Sequence, residues 1–155
     1  MRKYFRAMLV TLVAVVAMLV SAPAASAEEE AVPRADIAAM MDAVPGGILI
    51  DADHAVWPST GLEMTSSAAV TPYSVGSCAT GSVCAFSSAN LGGSKLSWST
   101  CNTFTISSSF TVRSIADARS TGYLQARNGT TILATANAGA SANVFGTVTN
   151  VRCVS

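Results

Sequence analysis

Four cysteines, Cys78, Cys84, Cys101 and Cys153, constrain this chain more than any other feature. An even number of thiols points to two covalent cross-links where the compartment is oxidising. Whether the chain is exported therefore comes first. Arg2, Lys3 and Arg6 form a charged start, Ala7 to Val20 is a mainly apolar run, and Ala25-Ser26-Ala27 offers the small residues a signal peptidase accepts. Residues 1–27 read as a secretory signal peptide cleaved after Ala27. A retained anchor is the rival reading, but about 14 apolar residues fall short of the roughly 20 a spanning helix needs. No comparable run follows, so a secreted, extracellular product free of the membrane is expected. A structural zinc site is disfavoured by the cysteine spacing, and the single histidine, His54, is remote from it in sequence.

A net charge of zero hides an asymmetry. Residues 28–73 carry eight acidic side chains against Arg34 alone, whereas residues 74–155 carry Lys95, Arg113, Arg119, Arg127 and Arg152 against Asp117 alone. The first stretch is an acidic leader, read either as a pro-segment docked by charge or as a solvated extension. Five scattered bases do not make a nucleic-acid footprint, which needs a clustered stripe. Within the leader, Ile37, Met40, Met41 and Val44 lie at helical spacing, predicting a short helix from Asp36 to Val44 that Pro45-Gly46-Gly47 ends. Ile48 to Trp57 and Leu62 to Thr65, separated by Pro58-Ser59-Thr60-Gly61, predict a hairpin that pairs onto the core as extra strands if it is retained.

From Ser74 onward, serine and threonine make up about a third of the residues and helical periodicity disappears. Strands are predicted at Val83–Ser87, Lys95–Ser99, Thr111–Ile115, Tyr123–Arg127, Thr131–Thr135 and Thr147–Cys153, which argues for a sandwich or barrel over residues 74–155. Asn128-Gly129 predicts a tight type I′ hairpin turn. Thr111-Val112-Arg113-Ser114-Ile115 resembles Thr147-Val148-Thr149-Asn150-Val151, 36 residues later, as two units sharing one core would.

Phe86-Ser-Ser-Ala-Asn-Leu91-Gly-Gly93 resembles the βγ-crystallin corner of aromatic, four residues, aromatic, one residue, glycine, with Leu91 in place of the second aromatic and Ser114 where that pattern expects a serine. The stretch from Cys78 to Leu96 is also similar to the opening of the secreted metalloproteinase-inhibitor family of streptomycetes. The resemblance implies an all-β, βγ-crystallin-like double Greek-key sandwich after the signal peptide and leader. It also implies a Cys78–Cys84 bridge, which the five enclosed residues favour, leaving Cys101 for Cys153. Two other connectivities stay open at this level.

The residue inventory argues against catalysis. The cationic domain holds no histidine and one carboxylate, which excludes paired-carboxylate hydrolysis and a triad confined to the domain. Asp51-Ala-Asp53-His54 lies in the leader and is read as a turn. Calcium is not expected: the positions that bind it in many βγ-crystallins are Ser109-Phe110 with Arg113-Ser114, and Phe145-Gly146 with Thr149-Asn150, which lack carboxylates. No cofactor is expected. Trp98 alternates with Leu96 and is read as core; an exposed Trp98 would instead favour sugar stacking. Asp117 is read as an ion-pair partner of Arg113 or Arg119.

The resulting expectation is a monomeric, non-enzymatic inhibitor of secreted metallo- or serine endopeptidases, acting through a rigid exposed loop. The resemblance places that loop in the second half, braced by a disulfide this chain lacks. Candidate segments are Ala79–Val83 and the stretch after Cys101, chiefly Asn102, Thr103, Phe104, Thr105 and Ile106. The alternatives are a cell-wall, carbohydrate-binding or killer-toxin-like module, and a structural extracellular protein.

Overall fold

In a computed structural model, residues 31–66 and 75–155 are described; the expected signal peptide and its cleavage at Ala27 lie outside them. The first element is the helix α1 (Ala35–Ala43), which buries Ile37 and Met40 and leans Met41 and Val44 against the core. It ends where the sequence places Pro45. The backbone of Gly47 lies so close to the Trp57 ring that a β-carbon there would sit 2.8 Å from it. The Trp57 Nε1–H donates to the Val44 carbonyl at 2.8 Å, satisfying an acceptor the helix end leaves open.

Three strands follow in the leader: β1 (Ile48–Asp51), β2 (His54–Trp57) and β3 (Leu62–Thr65). The run from Ile48 to Trp57 is therefore itself a hairpin, not one strand. Asp51 explains the break, since its carboxylate accepts the Asp53 amide at 2.8 Å and turns the chain. The remaining strands are β4 (Val83–Phe86), β5 (Lys95–Trp98), β6 (Thr103–Thr105), β7 (Ser114–Asp117), β8 (Tyr123–Asn128), β9 (Thr131–Asn137), β10 (Ala140–Asn143) and β11 (Asn150–Val154). They make an all-β body of two antiparallel sheets, ordered β1-β2-β3-β5-β4-β7-β10 and β6-β11-β8-β9.

Each half of residues 83–154 contributes three neighbouring strands to one sheet and sends its third strand to the other. Thus β6 pairs with β11, and β10 pairs with β7. The last strands of the halves, β7 and β11, begin at Ser114 and Asn150, the same 36-residue offset as the sequence repeat. The expected strands Thr111–Ile115 and Thr147–Cys153 both start too early, because Val112 and Val148 are buried by the approaching loops rather than by sheet pairing. Strands β6 and β10, of three and four residues, alternate too briefly and with too little apolar bulk to be expected from sequence. The Asn-Gly turn is also displaced. Asn128 pairs with Thr131, so Gly129 and Thr130 form the loop, and only Gly129 (φ +58°) has positive φ.

The corner around Phe86 is built as its residues require. Gly93 has φ +72°, and a β-carbon there would collide with the Ser87 and Ser88 side chains. Ser114, fully buried, donates to the Ser88 carbonyl at 2.7 Å and accepts the Leu91 amide at 3.0 Å. Phe86 is buried with Cys78, Cys84 and Ala116 in a small second core. The main core lies between the sheets and includes Leu96, Trp98, Ile115, Leu124 and Val151.

The leader belongs to that core. Strand β3 pairs with β5 in register, Leu62 opposite Trp98 and Met64 opposite Leu96. Ile37, Met40, Trp57, Leu62 and Met64 are all buried. At about 1.5–3 kcal/mol per side chain, this burial is worth on the order of 10 kcal/mol gross. The ion pairs described stay within each part: Arg34–Asp53 and His54–Glu63 in the leader, Arg119–Asp117 in the domain. Exposed pairs contribute about 0–1 kcal/mol. Apolar packing does most to seat the leader; across the boundary the charge asymmetry adds the attraction of Glu63 for Lys95. Replacing Trp57 with alanine is accordingly expected to lower unfolding free energy by about 3–5 kcal/mol in urea titration, whereas Ile48→Ser, on the exposed face of β1, should change it by less than about 0.5 kcal/mol.

Candidate functional site

The cross-links fix which loops can present side chains. Cys78 bonds Cys84 (Cα–Cα 5.8 Å) and Cys101 bonds Cys153 (Cα–Cα 5.1 Å). The small ring exposes Ala79, Thr80 and Gly81, but Val83 is fully buried. The Gly81 amide donates to the Ala118 carbonyl at 2.9 Å, so the ring is laid down against the body. Beside the second bridge, the fully buried Asp117 takes both arms of Arg119, at 3.0 Å and 2.8 Å. Arg119 also donates to the Val154 carbonyl and to Cys101 Sγ. Asp117 is thus a structural clamp on the C-terminal strand.

The segment favoured from sequence is not a protruding loop. Asn102 is exposed, and its Oδ1 accepts the Thr103 amide at 2.7 Å. Thr103–Thr105 form an edge strand on β11. Phe104 lies half-buried against Trp98, ring centroids 4.7 Å apart and nearly parallel. Ile106 is buried. Pairing to β11 turns both apolar side chains toward the body, leaving only Asn102, Thr103 and Thr105 on the surface. Trp98 is core, as its alternation with Leu96 predicts.

The loop that does present an apolar side chain joins β10 to β11. Phe145 is 82 % exposed, while Val144 before it and Val148 after it are 2 % and 8 % exposed. The tip is therefore held between two buried anchors. The Val144 amide donates to the Arg113 carbonyl, and the Thr149 amide to the Arg127 carbonyl. At one end, Asn143 and Asn90 exchange hydrogen bonds: the Asn90 amide donates to Asn143 Oδ1 at 2.8 Å, and Asn143 Nδ2 donates to Asn90 Oδ1 at 2.9 Å. At the other end, Thr149 Oγ1 accepts the Gly129 amide at 2.8 Å. Sequence reasoning weighed Phe145 only as a failed calcium position. Its exposure depends on where Val144 and Val148 are buried, which no local pattern reports.

His54 lies on β2 with Nε2 3.6 Å from Glu63, and Asp53 faces Arg34, so the leader's polar cluster is a set of surface pairs. Among the described residues, no group of three or more His, Cys, Asp or Glu side chains is placed to hold a metal. Nor is any helix among them long and apolar enough to cross a membrane. No family model, curated protein or solved structure matches this chain.

One carboxylate ties the leader to the domain at the polar edge. Asp36 accepts the hydroxyls of Ser66 and Ser94. Burial pushes its pKa up, but the hydrogen bonds from Ser66, Ser94 and the Ile37 and Asp36 amides outweigh that, and the value sits below the ordinary 3.8. A depressed carboxyl pKa stabilises the fold above the unfolded value and loses that effect as pH falls through the folded one. The stability gap between wild type and Asp36→Ala is therefore expected to be largest near neutrality and to close below pH 3.8, read from urea midpoints across pH. For the bridges, Cys101→Ser with Cys153→Ser should cost about 4 kcal/mol and Cys78→Ser with Cys84→Ser about 2, following loop length, in the same titration.

Proposed function

We propose that this is a secreted, monomeric peptidase inhibitor on a βγ-crystallin-like double Greek key, and that Phe145 is the residue it offers to its target. The exchanged third strands and the Phe86–Gly93–Ser114 corner support the fold reading. Two disulfides and the charged, apolar, small-residue start of the chain support export. The observation that carries the function is the exposed Phe145 between buried Val144 and Val148.

An inhibitor binds tightly when its loop already has the bound shape, because the ordering cost is then not charged to association. Here Asn90, Arg113, Arg127 and Gly129 hold the ends of the loop, in the role that a local disulfide plays in the resembling family. A buried aromatic anchor is the usual centre of such an interface. The partner is an endopeptidase with an apolar specificity pocket; the acting form keeps residues 35–65, since β1–β3 belong to the sheet and α1 packs Ile37 and Met40 into the core. The protein itself is not an enzyme in this reading.

The test titrates residues 28–155 against a thermolysin-like and a subtilisin-like endopeptidase. Stoichiometric loss of activity is expected with one of them. Phe145→Ala should weaken it about 30-fold or more, a hot-spot loss of about 2 kcal/mol, with the melting temperature unchanged. Inhibition of neither enzyme, or inhibition indifferent to Phe145, would sink the proposal.

A further inference from the structure

Strand pairing shows which side chains share the outer face of the smaller sheet. Arg127 on β8 stands opposite Asn150 on β11, and Arg152 on β11 stands opposite Gln125 on β8. On β6, Thr105 and Thr103 continue the same two rows. Between these positions Ala126 and Val151 are buried, and Phe104 turns toward the body. The polar residues therefore hold the opposite face, where Arg152, Thr103 and Thr105 are exposed. Arg127 and Arg152 are diagonal neighbours on its two central strands, about 7–8 Å apart. Neither meets a carboxylate, since the described ion pairs use Arg34, His54 and Arg119. Arg127 Nε is buried and makes no hydrogen bond among the described residues. The one carboxylate of residues 74–155, Asp117, is spent on Arg119.

We infer that this face binds a carboxylated, anionic polysaccharide. Each acidic sugar unit brings a planar carboxylate, which an arginine fork grips through two parallel hydrogen bonds. It also brings hydroxyls that donate and accept, as do the threonine hydroxyls and the Gln125 amide beside the arginines. Two unpaired cations on adjacent strands suit acidic groups repeated along a chain, and no acid in the paired rows repels them. A nucleic acid is poorly served, because two cations neutralise too few phosphates. A folded protein partner needs an apolar anchor near the centre of its contact. Here the apolar members stand at the margins: Ile132 on β9 opposite Arg127, and Val154 at the far end of β11 opposite Tyr123. A neutral sugar would leave both guanidinium groups unanswered. The assignment does not rest on the peptidase reading.

The experiment uses residues 28–155 and calorimetry with hexagalacturonate, neutral cellohexaose, hexaglutamate and hexathymidylate. Saturable binding of hexagalacturonate is expected at low ionic strength, with a dissociation constant of about 0.1–1 mM. Screening by about 0.5 M sodium chloride should weaken it roughly tenfold. Arg152→Gln, at an exposed position, should weaken it about fivefold or more at unchanged melting temperature. Arg127→Gln should weaken it as much. Arg113→Gln removes an equal charge from outside the face and should leave this binding unchanged. No binding of hexagalacturonate, or equal binding of cellohexaose, would overturn the assignment. So would tighter binding of hexaglutamate or hexathymidylate, insensitivity to salt, an equal loss in Arg113→Gln, or indifference to Arg152→Gln.

Discussion

The exchange of third strands between the two sheets is the constraint from which the rest follows. Because β6 crosses to β11 and β10 crosses to β7, neither half can bury its apolar face without the other. Both crossings create surface features. The chain leaving β5 must pass from one sheet to the other before β6, which sets Phe104 over Trp98 and opens a groove beside them. The chain leaving β10 must make the return passage to β11. Val144 and Val148 go inward on the way, and Phe145 is left outside. The exposed Phe145 and the groove beside Phe104 are by-products of topology, held by backbone pairing on either side.

The leader completes this arrangement in an unequal way. On β5 it satisfies a strand edge and covers Leu96 and Trp98 with its own Met64 and Leu62. The new sheet edge is β1, where Ile48 and Ile50 are more than half exposed. An apolar edge strand is normally guarded by charge or distortion. Here the guard is the irregular pairing between Leu49 and Asp51, with Asp51 at the strand's end.

How much of this was legible depended on how local each cause was. Helix α1 could be read because Ile37 and Met40 face inward at helical spacing and a proline ends the run. The Phe86 corner could be read because Gly93 and Ser114 are demanded by one tight turn. The small ring favoured Cys78–Cys84, as the resemblance also implies, but two other connectivities stayed open until the structure paired the cysteines. By contrast, β6 and β10 are strands only because another strand waits for them. Thr-Phe-Thr and Ala-Ser-Ala-Asn carry no intrinsic signal strong enough to announce it. The same holds for the segment after Cys101, whose apolar residues suggest a presented loop in isolation. Pairing with β11 decides their direction instead. Phe145 was hidden for the converse reason, since its exposure is set by what its neighbours bury.

The Cys101–Cys153 bridge has a consequence for any encounter with a hydrolase. Residues 143–149 lie inside the covalent circle it closes. If the bond beside Phe145 were severed, the two new termini would remain on one molecule, with Val144 and Val148 still rooted on either side of the gap. The tail could not diffuse away, and resealing would compete as an intramolecular event. Scission at the tip would be survivable damage.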